Sequence, residues 1–467
     1  MNRKTTFALF FGNRGFFPET LVASARAELR KAVEDQGCGV LMLEESATRY
    51  GAVESATEGK IFARFLETHR GKYDGIIVCL PNFGDETGAV AAVEGAGVPI
   101  LVHAYPDEIG KMGFSRRRDA FCGKFSVMDV FCQYKIPFTT FQPHVAHPTS
   151  KTFAHHLQDF AAVCRVAKGM KRMTVGAIGA RTTAFKTVRF DETTLQRYGI
   201  TTETLDLSHV FRQVRALTGT EARCKDKAER LKNYTNWNGV PTEAFSTLVK
   251  LGVVLDDIIA EFQLDALAIR CWIELEMELK VAPCVLVSEI NDRGIPCACE
   301  VDVCNAVAMY ALRLASGKPA TCLDWNNNYG DAPDKCILFH CGPVPQSLMK
   351  GKGKVIDHPM FAKALGGGCG WGPNVGRIAA SPMSYASCKT EDGKLTFYLG
   401  EGEITDDKIE EDFFGCAGVA HIDRLQEKLQ KIGYQGYRHH VSLTFGQVGL
   451  PVREAFVRYL NYDVVEL

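Results

Sequence analysis

The sequence of 467 residues has no long apolar run and no excess of charge of one sign. The first apolar run, at residues 6–11, ends before Asn13-Arg14-Gly15 and is too short for a signal peptide or a membrane span. The formal net charge of −1 gives no reason to expect a nucleic acid or a membrane surface as a partner. These absences favour a globular protein, which we expect to be cytoplasmic.

Regularly spaced cysteines are also missing. The chain has 17 cysteines but no C-x-x-C pair, and Cys297 and Cys299 are separated by a single residue, so a zinc site is not indicated. We expect a reducing compartment, in which cysteines act as small apolar residues. The segment G-A-I-G-A-R at residues 176–181 lacks the third glycine of a dinucleotide fingerprint, which disfavours a nicotinamide dehydrogenase.

A strand, loop, helix, strand pattern occurs twice in the first two thirds of the chain. It predicts strands at residues 6–11, 39–43, 75–80, 98–103, 173–178, 202–207 and 265–270. It predicts helices at residues 19–36, 87–96, 192–197, 220–234 and 241–262. Alternation of this kind is typical of a parallel sheet, so we expect an α/β protein with two Rossmann-like, doubly wound domains.

Beyond Pro319 the pattern changes to short β-like runs separated by Gly, Pro and Asp. These runs lie at residues 336–339, 353–356, 376–379 and 395–399, and a helix at 423–432 follows. They predict a β-rich, barrel-like C-terminal domain. The expected domains are residues 1–168, 169–316 and 317–467.

Two acids, Glu300 and Asp324, bracket a predicted apolar helix at residues 303–314. Cysteine, alanine and valine surround both acids, and an unpaired buried charge costs several kcal/mol. A divalent cation would compensate both charges, and its usual ligand set also contains an imidazole, for which His440 is the candidate. Alternatively, Glu300 is a carboxylate at a helix N-terminus and Asp324 is a turn residue at a strand end.

Three segments carry a family resemblance. C-E-V-D-V-C-N-A-V-A-M, L-D-W-N and R-H-H-V-S-L-T-F-G-Q-V-G are similar, in that order, to the metal-binding segments of the L-fucose isomerase and L-arabinose isomerase superfamily. The resemblance covers roughly residues 265–467. It implies that Glu300, Asp324 and His440 bind the metal and that the two acids also transfer protons. The ligand types favour Mn²⁺, with Mg²⁺, Co²⁺ and Fe²⁺ as alternatives.

Several further residues are candidates for binding a substrate. By the resemblance, Arg270 and Trp272 lie in a polar and aromatic substrate-side segment, and F-H-C-G places His340 in a substrate-contacting loop. A buried structural histidine is the alternative for His340. His439 is the less favoured metal ligand of the histidine pair, so we expect it beside the substrate. Cys341 stands where the resemblance leads us to expect a hydroxyl, so the identity of the sugar is open.

Basic residues of the first domain are candidates for the far end of a substrate. Arg14 follows a predicted strand, where parallel sheets bind ligands, although turn chemistry also explains it. Arg116 and Arg117 belong to a basic segment at residues 115–126 that could bind a phosphate or sulfonate. A solvated face or an oligomer contact explains them equally well.

Another acidic segment is expected to be ordinary surface. Glu274, Glu276 and Glu278 recur at every second residue, which scatters them around a helix, so we predict solvated charges.

The sequence thus favours a metal-dependent aldose–ketose isomerase that works through an enediolate. Its expected substrate is a hexose with an anionic 6-substituent, converted as sulfoquinovose to 6-deoxy-6-sulfofructose, and a neutral sugar such as L-fucose or L-arabinose is the alternative. A non-catalytic sugar-binding protein is the alternative of another class. The resemblance also implies a homo-oligomer, a trimer or hexamer, in which a neighbouring subunit borders the active site.

Overall fold

The computed structural model describes residues 4–18 and 20–467. The chain divides into two compact units, residues 1–168 with 454–461 and residues 169–453 with 462–467. The helix predicted from Glu19 is described from Thr20 onward, because Glu19 and residues 1–3 lie outside the described part. Over the described residues, no helix is both long enough and apolar enough to cross a membrane.

The first unit contains a four-stranded sheet in the order β2-β1-β3-β4, with all strands parallel. Its strands are β1 Thr6–Phe11, β2 Gly39–Met42, β3 Gly75–Leu80 and β4 Ile100–Ala104. Its helices are α1 Thr20–Asp35, α2 Ala56–Thr68, α3 Glu86–Val93, α4 Ala120–Gln133 and α5 Lys151–Met170. Every residue of β3 is buried, which is the reason its sequence is apolar throughout rather than alternating.

A second parallel sheet, in the order β6-β5-β7-β8, lies in the other unit. Its strands are β5 Met173–Ile178, β6 Ile200–Leu205, β7 Ala266–Ile269 and β8 Cys297–Ala298. The helices that follow α5 are α6 Glu192–Arg197, α7 Leu207–Ala216, α8 Ala222–Tyr234, α9 Thr242–Glu261, α10 Glu274–Leu279, α11 Cys284–Asp292 and α12 Val303–Ser316.

The rest of this unit forms a mixed nine-stranded sheet in the order β11-β12-β15-β10-β9-β16-β13-β14-β17, and β14 also pairs with β15. The strands are β9 Ala320–Asn328, β10 Lys335–His340, β11 Lys354–Asp357, β12 Trp371–Arg377, β13 Ser381–Glu391, β14 Lys394–Thr405, β15 Cys416–His421, β16 His440–Phe445 and β17 Asp463–Glu466. Three helices accompany them: α13 Pro359–Leu365, α14 Leu425–Tyr434 and α15 Gly449–Glu454.

The predicted α/β class is confirmed, with two parallel sheets followed by a large mixed sheet. The strands at residues 6–11, 75–80 and 173–178 have the predicted bounds. The strand predicted at residues 376–379 begins earlier and spans Trp371–Arg377. The doubly wound arrangement, the barrel-like closure and the three domain boundaries stay predictions.

The expectation for the acidic segment is wrong at Glu276. Its side chain in α10 is fully buried, and neither carboxyl oxygen has a hydrogen-bond partner within the described residues. Burial raises the pKa of Glu276 to about 8. Glu274 and Glu278 instead form ion pairs, with Arg270 and Arg215 respectively. Alternating acids in sequence do not reveal which one faces the core, because α10 is a short helix with only two buried residues.

Candidate active site

Glu300 lies in the short connection between β8 and α12, where the backbone is strained. Glu300 and Val301 have φ angles of 55° and 59°, in the left-handed region that a β-branched residue rarely adopts. Cys271 Sγ and Trp272 Nε1 donate to Glu300 Oε1 at 3.3 and 3.2 Å. These two donors hold one carboxylate oxygen and leave Oε2 without a hydrogen-bond partner in the described chain.

Asp324 and His440 are brought together by strand pairing. They are directly opposite each other where β9 pairs with β16 in antiparallel register. His440 Nε2 lies 3.4 Å from Asp324 Oδ1 and 3.6 Å from Glu300 Oε2. Asp324 Oδ1 is buried and, like Glu300 Oε2, has no hydrogen-bond partner in residues 4–18 and 20–467. Each acid therefore presents an orphaned oxygen to His440 Nε2. Two groups of ligand atoms lie within 4.8 Å of one another here, Glu300 with His340 and His440, and Asp324 with His439 and His440. Carboxylates with an imidazole are a donor set that fits a divalent cation.

A second carboxylate orients the imidazole. His440 Nδ1 lies 2.8 Å from Asp302 Oδ2, and Arg438 Nη1 donates to Asp302 Oδ1. Asp302 therefore fixes the Nδ1–H tautomer, so that in the neutral ring Nε2 presents its lone pair to Glu300 and Asp324. Asp302 also accepts from the backbone N–H of Asn305, which caps α12. The helix-capping role considered for Glu300 thus belongs to Asp302.

The charges around the cluster keep both buried acids ionised. Burial alone would raise the pKa of Asp302, but Arg438 and His440 outweigh it and hold that pKa well below its ordinary value. Burial likewise opposes ionisation of Glu300, and the neighbouring His340 and His440 lower its pKa to about 2. Glu300 is therefore in the ionised form that a metal needs.

The cluster opens into a cavity of about 450 Å³. The cavity is lined by Phe185, Cys271, Trp272, Ile273, Cys284, Glu300, Asp324, Phe339, His340, Cys341, His358, Met360, Phe361, Ala364, His439 and His440. Its walls are mainly apolar, and the rings of Phe185 and Trp272 meet edge to face with centroids 5.3 Å apart. This volume is within the range of small-molecule sites, roughly 300–1,000 Å³.

Three of the residues predicted to bind substrate line this cavity: Trp272, His340 and His439. His340 is buried, and its Nδ1 accepts from the Cys341 backbone N–H at 2.9 Å. Its Nε2 lies 3.5 Å from Glu300 Oε2 and is therefore the nitrogen left to carry a proton. His439 Nε2 lies 3.7 Å from Asp324 Oδ1 on a side chain that is 41% exposed.

The predicted arginines do not line the cavity described above. Arg270 donates to Glu274 at 2.6 Å and to the Ala180 carbonyl at 3.2 Å. The other three belong to the first unit, where Arg14 pairs with Glu86 and Arg117 with Asp119.

Arg116 is exposed and borders a shallow depression that also contains Asp107 and Lys111. Among the described residues, its guanidinium has no hydrogen-bond or ion-pair partner.

Sequence reasoning missed Asp302, Phe185, His358 and Phe361. Asp302 had a local signal, since it follows Glu300 by two residues and immediately precedes α12. Phe185 lies in a loop after β5, and His358 and Phe361 lie at or within α13. These three reach the cavity only through tertiary packing, and no spacing in the sequence indicated it.

The chain matches models of two related domains. Residues 8–171 match the "Fucose/sulfoquinovose isomerase, N-terminal domain" and residues 338–467 match the "L-fucose isomerase, C-terminal domain". A sulfoquinovose isomerase of Priestia aryabhattai is 23% identical over 387 residues, which cover 82% of this chain and 84% of the relative. One of Alkalicoccus urumqiensis is 23% identical over 408 residues, covering 86% and 88% respectively.

A solved ABC transporter periplasmic solute binding protein from Actinobacillus succinogenes 130z, with bound D-allose, is also similar. It is 13% identical and covers 68% of this chain and 93% of that chain. The TM-score of 0.17 is too low for this likeness to bear on fold or function.

The domain matches and the curated relatives define the class of the protein, which is an enzyme that interconverts aldoses and ketoses. The chain belongs to the fucose isomerase-like superfamily, as the resemblance of its sequence segments indicated.

Proposed function

We propose that the protein is a metal-dependent isomerase that converts sulfoquinovose to 6-deoxy-6-sulfofructose through an enediolate. The observation that supports the metal-dependent part is that Glu300 Oε2 and Asp324 Oδ1 lie 3.6 and 3.4 Å from His440 Nε2, and that all three residues line one sugar-sized cavity. The names of the relatives, which cover more than four fifths of the chain, support the substrate.

Glu300, Asp324 and His440 would hold the cation, for which Mn²⁺ is the best match to two carboxylates and an imidazole. When bound, it would polarise the sugar carbonyl and balance the negative charge of the enediolate. The proposed role of Asp302 is to keep the His440 ring turned toward this position.

The two acids move the protons of the reaction. Isomerisation shifts one proton between C2 and C1 and another between O2 and O1, so two acid/base groups beside these atoms are sufficient. One of Glu300 and Asp324 takes the carbon-bound proton, and the other serves the oxygens. His340 Nε2, which lies beside Glu300, would donate a hydrogen bond to an oxygen of the sugar. The aromatic walls formed by Phe185 and Trp272 exclude water from the reacting carbons.

The sulfonate of the substrate needs a cationic partner. None of the described residues that line the cavity is a lysine or an arginine. We therefore retain Arg14, Arg116 and Arg117 as proposed substrate contacts, supplied by the first unit of a neighbouring subunit in a cytoplasmic homo-oligomer. Support comes from the exposed apolar side chains of Ile109 and Phe114, which precede the basic segment in sequence and suit a subunit contact.

The finer fold details belong to the same proposal. The pairing of β14 with both β13 and β15 supports a barrel-like closure of six strands in the C-terminal region. Helices that alternate with the strands of both parallel sheets support a doubly wound arrangement.

A neutral sugar such as L-fucose or L-arabinose is the second candidate substrate. The apolar lining of the cavity favours it, because such a wall suits a deoxy sugar without a charged end. A screen of neutral and sulfonated aldoses with Mn²⁺ present separates the candidates by ketose formation. Turnover of sulfoquinovose well above that of any neutral aldose is the expected result. Turnover of no aldose, despite sugar binding, would instead identify a non-catalytic sugar-binding protein.

A further inference from the structure

His358 is a polar residue of the cavity to which the proposed mechanism gives no role. It immediately precedes α13 and lines the same cavity as Glu300, Asp324 and His440. Only 1% of its surface is exposed. Its backbone N–H donates to the Gly370 carbonyl at 3.0 Å, which anchors the residue at this wall.

The imidazole of His358 lacks a hydrogen-bond partner at Nδ1. Within the described ranges, 4–18 and 20–467, Nδ1 is fully buried and makes no hydrogen bond. Buried polar groups in folded proteins are nearly always paired, because an unpaired one loses its bonds to water without compensation. An orphaned imidazole in the wall of a ligand cavity indicates that the ligand supplies the missing partner.

Packing fixes the ring and burial keeps it neutral. The Phe361 ring stacks on His358 with centroids 4.0 Å apart, and the Phe414 ring meets it edge to face at 5.7 Å. Burial lowers the pKa of His358 to about 4, so at neutral pH the ring offers one donor and one acceptor. A sugar hydroxyl, which also donates and accepts, complements such a group.

Resting on the proposed isomerase function, we propose that His358 hydrogen-bonds a hydroxyl of the bound sugar at C3 or C4. It belongs to none of the side-chain clusters around Glu300 and Asp324 whose ligand atoms lie within 4.8 Å of one another, so the reacting O1 and O2 are not its partners. A site that hydrogen-bonds a hydroxyl discriminates strongly against a sugar without it. His358 would therefore contribute to the choice of sugar rather than to proton transfer.

The test compares His358→Phe, which keeps an aromatic ring but removes both nitrogens, with His358→Gln, whose amide nitrogen occupies the region of Nε2. Exposed His155 on α5 supplies the control variant, His155→Phe. Each Mn²⁺-loaded protein is assayed with sulfoquinovose and with its 3-deoxy and 4-deoxy analogues. We expect His358→Phe to lower kcat/KM for sulfoquinovose by about tenfold or more, mainly through KM, and His358→Gln to recover most of it.

The decisive readout is the coupling between the residue and the hydroxyl. Wild type and the His155→Phe control should disfavour one deoxy analogue by about tenfold or more, whereas His358→Phe should treat that analogue and the parent sugar alike. Equal discrimination by wild type and His358→Phe overturns the inference. If His358→Phe does not fold, wild type that accepts both deoxy analogues as well as the parent sugar also overturns it.

Failure of the proposed function gives a different result. In that case wild type forms no ketose from any aldose, and the role of His358 is then measured by calorimetric binding of the alditol of sulfoquinovose and its deoxy forms. Loss of affinity in His358→Phe that is specific to one hydroxyl supports the role of His358, and unchanged affinity refutes it.

Discussion

Asp302 Oδ2 lies 2.8 Å from His440 Nδ1, and both side chains are almost completely buried. This contact explains why the imidazole presents Nε2 to Glu300 and Asp324. It also predicts that Asp302 controls metal binding without contacting the metal.

Replacement of Asp302 by Asn tests this relationship. Asn caps a helix as well as Asp does, but it removes the charge that orients His440 and balances Arg438. We expect Mn²⁺ affinity to fall about 10–100-fold. We also expect the free energy of unfolding to fall by roughly 3–5 kcal/mol, because Arg438 is left as an unpaired buried charge. Calorimetric titration with Mn²⁺ and denaturant unfolding measure the two effects.

Asp206→Asn is the matched control for that variant. Asp206 is exposed and caps α7 by accepting from the Ser208 backbone N–H, so its replacement should change neither quantity. Unchanged Mn²⁺ affinity in Asp302→Asn would show that the imidazole is oriented in another way.

Trp272→Phe tests the donor to Glu300. The substitution keeps an aromatic wall but removes the Nε1–H that donates to Glu300 Oε1 at 3.2 Å. A hydrogen bond to a charged group contributes roughly 1.5–3 kcal/mol, so kcat should fall about tenfold or more while KM changes little. Steady-state ketose formation measures both constants. The control is Trp237→Phe, which removes an indole hydrogen bond to the Leu231 carbonyl and should leave activity unchanged.

Glu276 makes stability depend on pH. Its pKa is raised to about 8 in the folded chain, so the native state binds more protons than the unfolded state between about pH 4.5 and 8. Unfolding free energy should therefore decrease as pH rises through this window, because the folded state opposes ionisation of Glu276. Glu276→Gln should remove this pH dependence of the unfolding free energy. It should stabilise the protein at pH 7 by roughly 2–4 kcal/mol, at 1.36 kcal/mol for each pKa unit.

Unfolding of wild type and Glu276→Gln from pH 4 to 9 checks this prediction. The difference between the two proteins should be small at pH 4, grow with rising pH and become constant above about pH 8. Glu278→Gln, on the same helix but exposed and paired with Arg215, should show no comparable growth. A difference between wild type and Glu276→Gln that does not depend on pH would mean that Glu276 is not the titrating group.

The double variant Arg116→Ala and Arg117→Ala separates the two substrate candidates. If these guanidinium groups bind the sulfonate, kcat/KM for sulfoquinovose should fall by about tenfold or more, whereas turnover of a neutral aldose should change little. Arg64→Ala, an exposed arginine of the same unit, is the control. Unchanged activity on the sulfonated hexose would show that this segment does not bind the sulfonate.

The sequence predicted those parts of the fold that local pattern determines. β1, β3 and β5 have the predicted bounds because their apolar runs end at turn residues, and α12 begins at the predicted Val303. The same patterns did not predict which residues are buried in short or irregular elements. Alternation along α10 did not distinguish Glu276 from Glu278, since the difference arises from tertiary packing.

The site was predictable to the extent that its segments resemble a known family. Glu300 and Asp324 each lie close to His440, and strand register explains the contact of Asp324 with His440. Their role as metal ligands stays a prediction. Phe185 and His358 could not be found, because their loops lie far from these residues in sequence and meet them only in the folded chain. Arg270 was predicted from the resemblance of its segment, and its guanidinium pairs with Glu274. Its contact with a substrate stays a prediction.

Equilibrium binding of Mn²⁺, followed by electron paramagnetic resonance of the free ion after the protein has been stripped with a chelator, tests the central claim most directly. For wild type we predict one tightly bound Mn²⁺ per chain, and for Asp324→Asn and His440→Phe a loss of that binding. Equal Mn²⁺ binding by wild type and both variants, or none by wild type, would contradict the assignment of Glu300, Asp324 and His440 as the metal ligands.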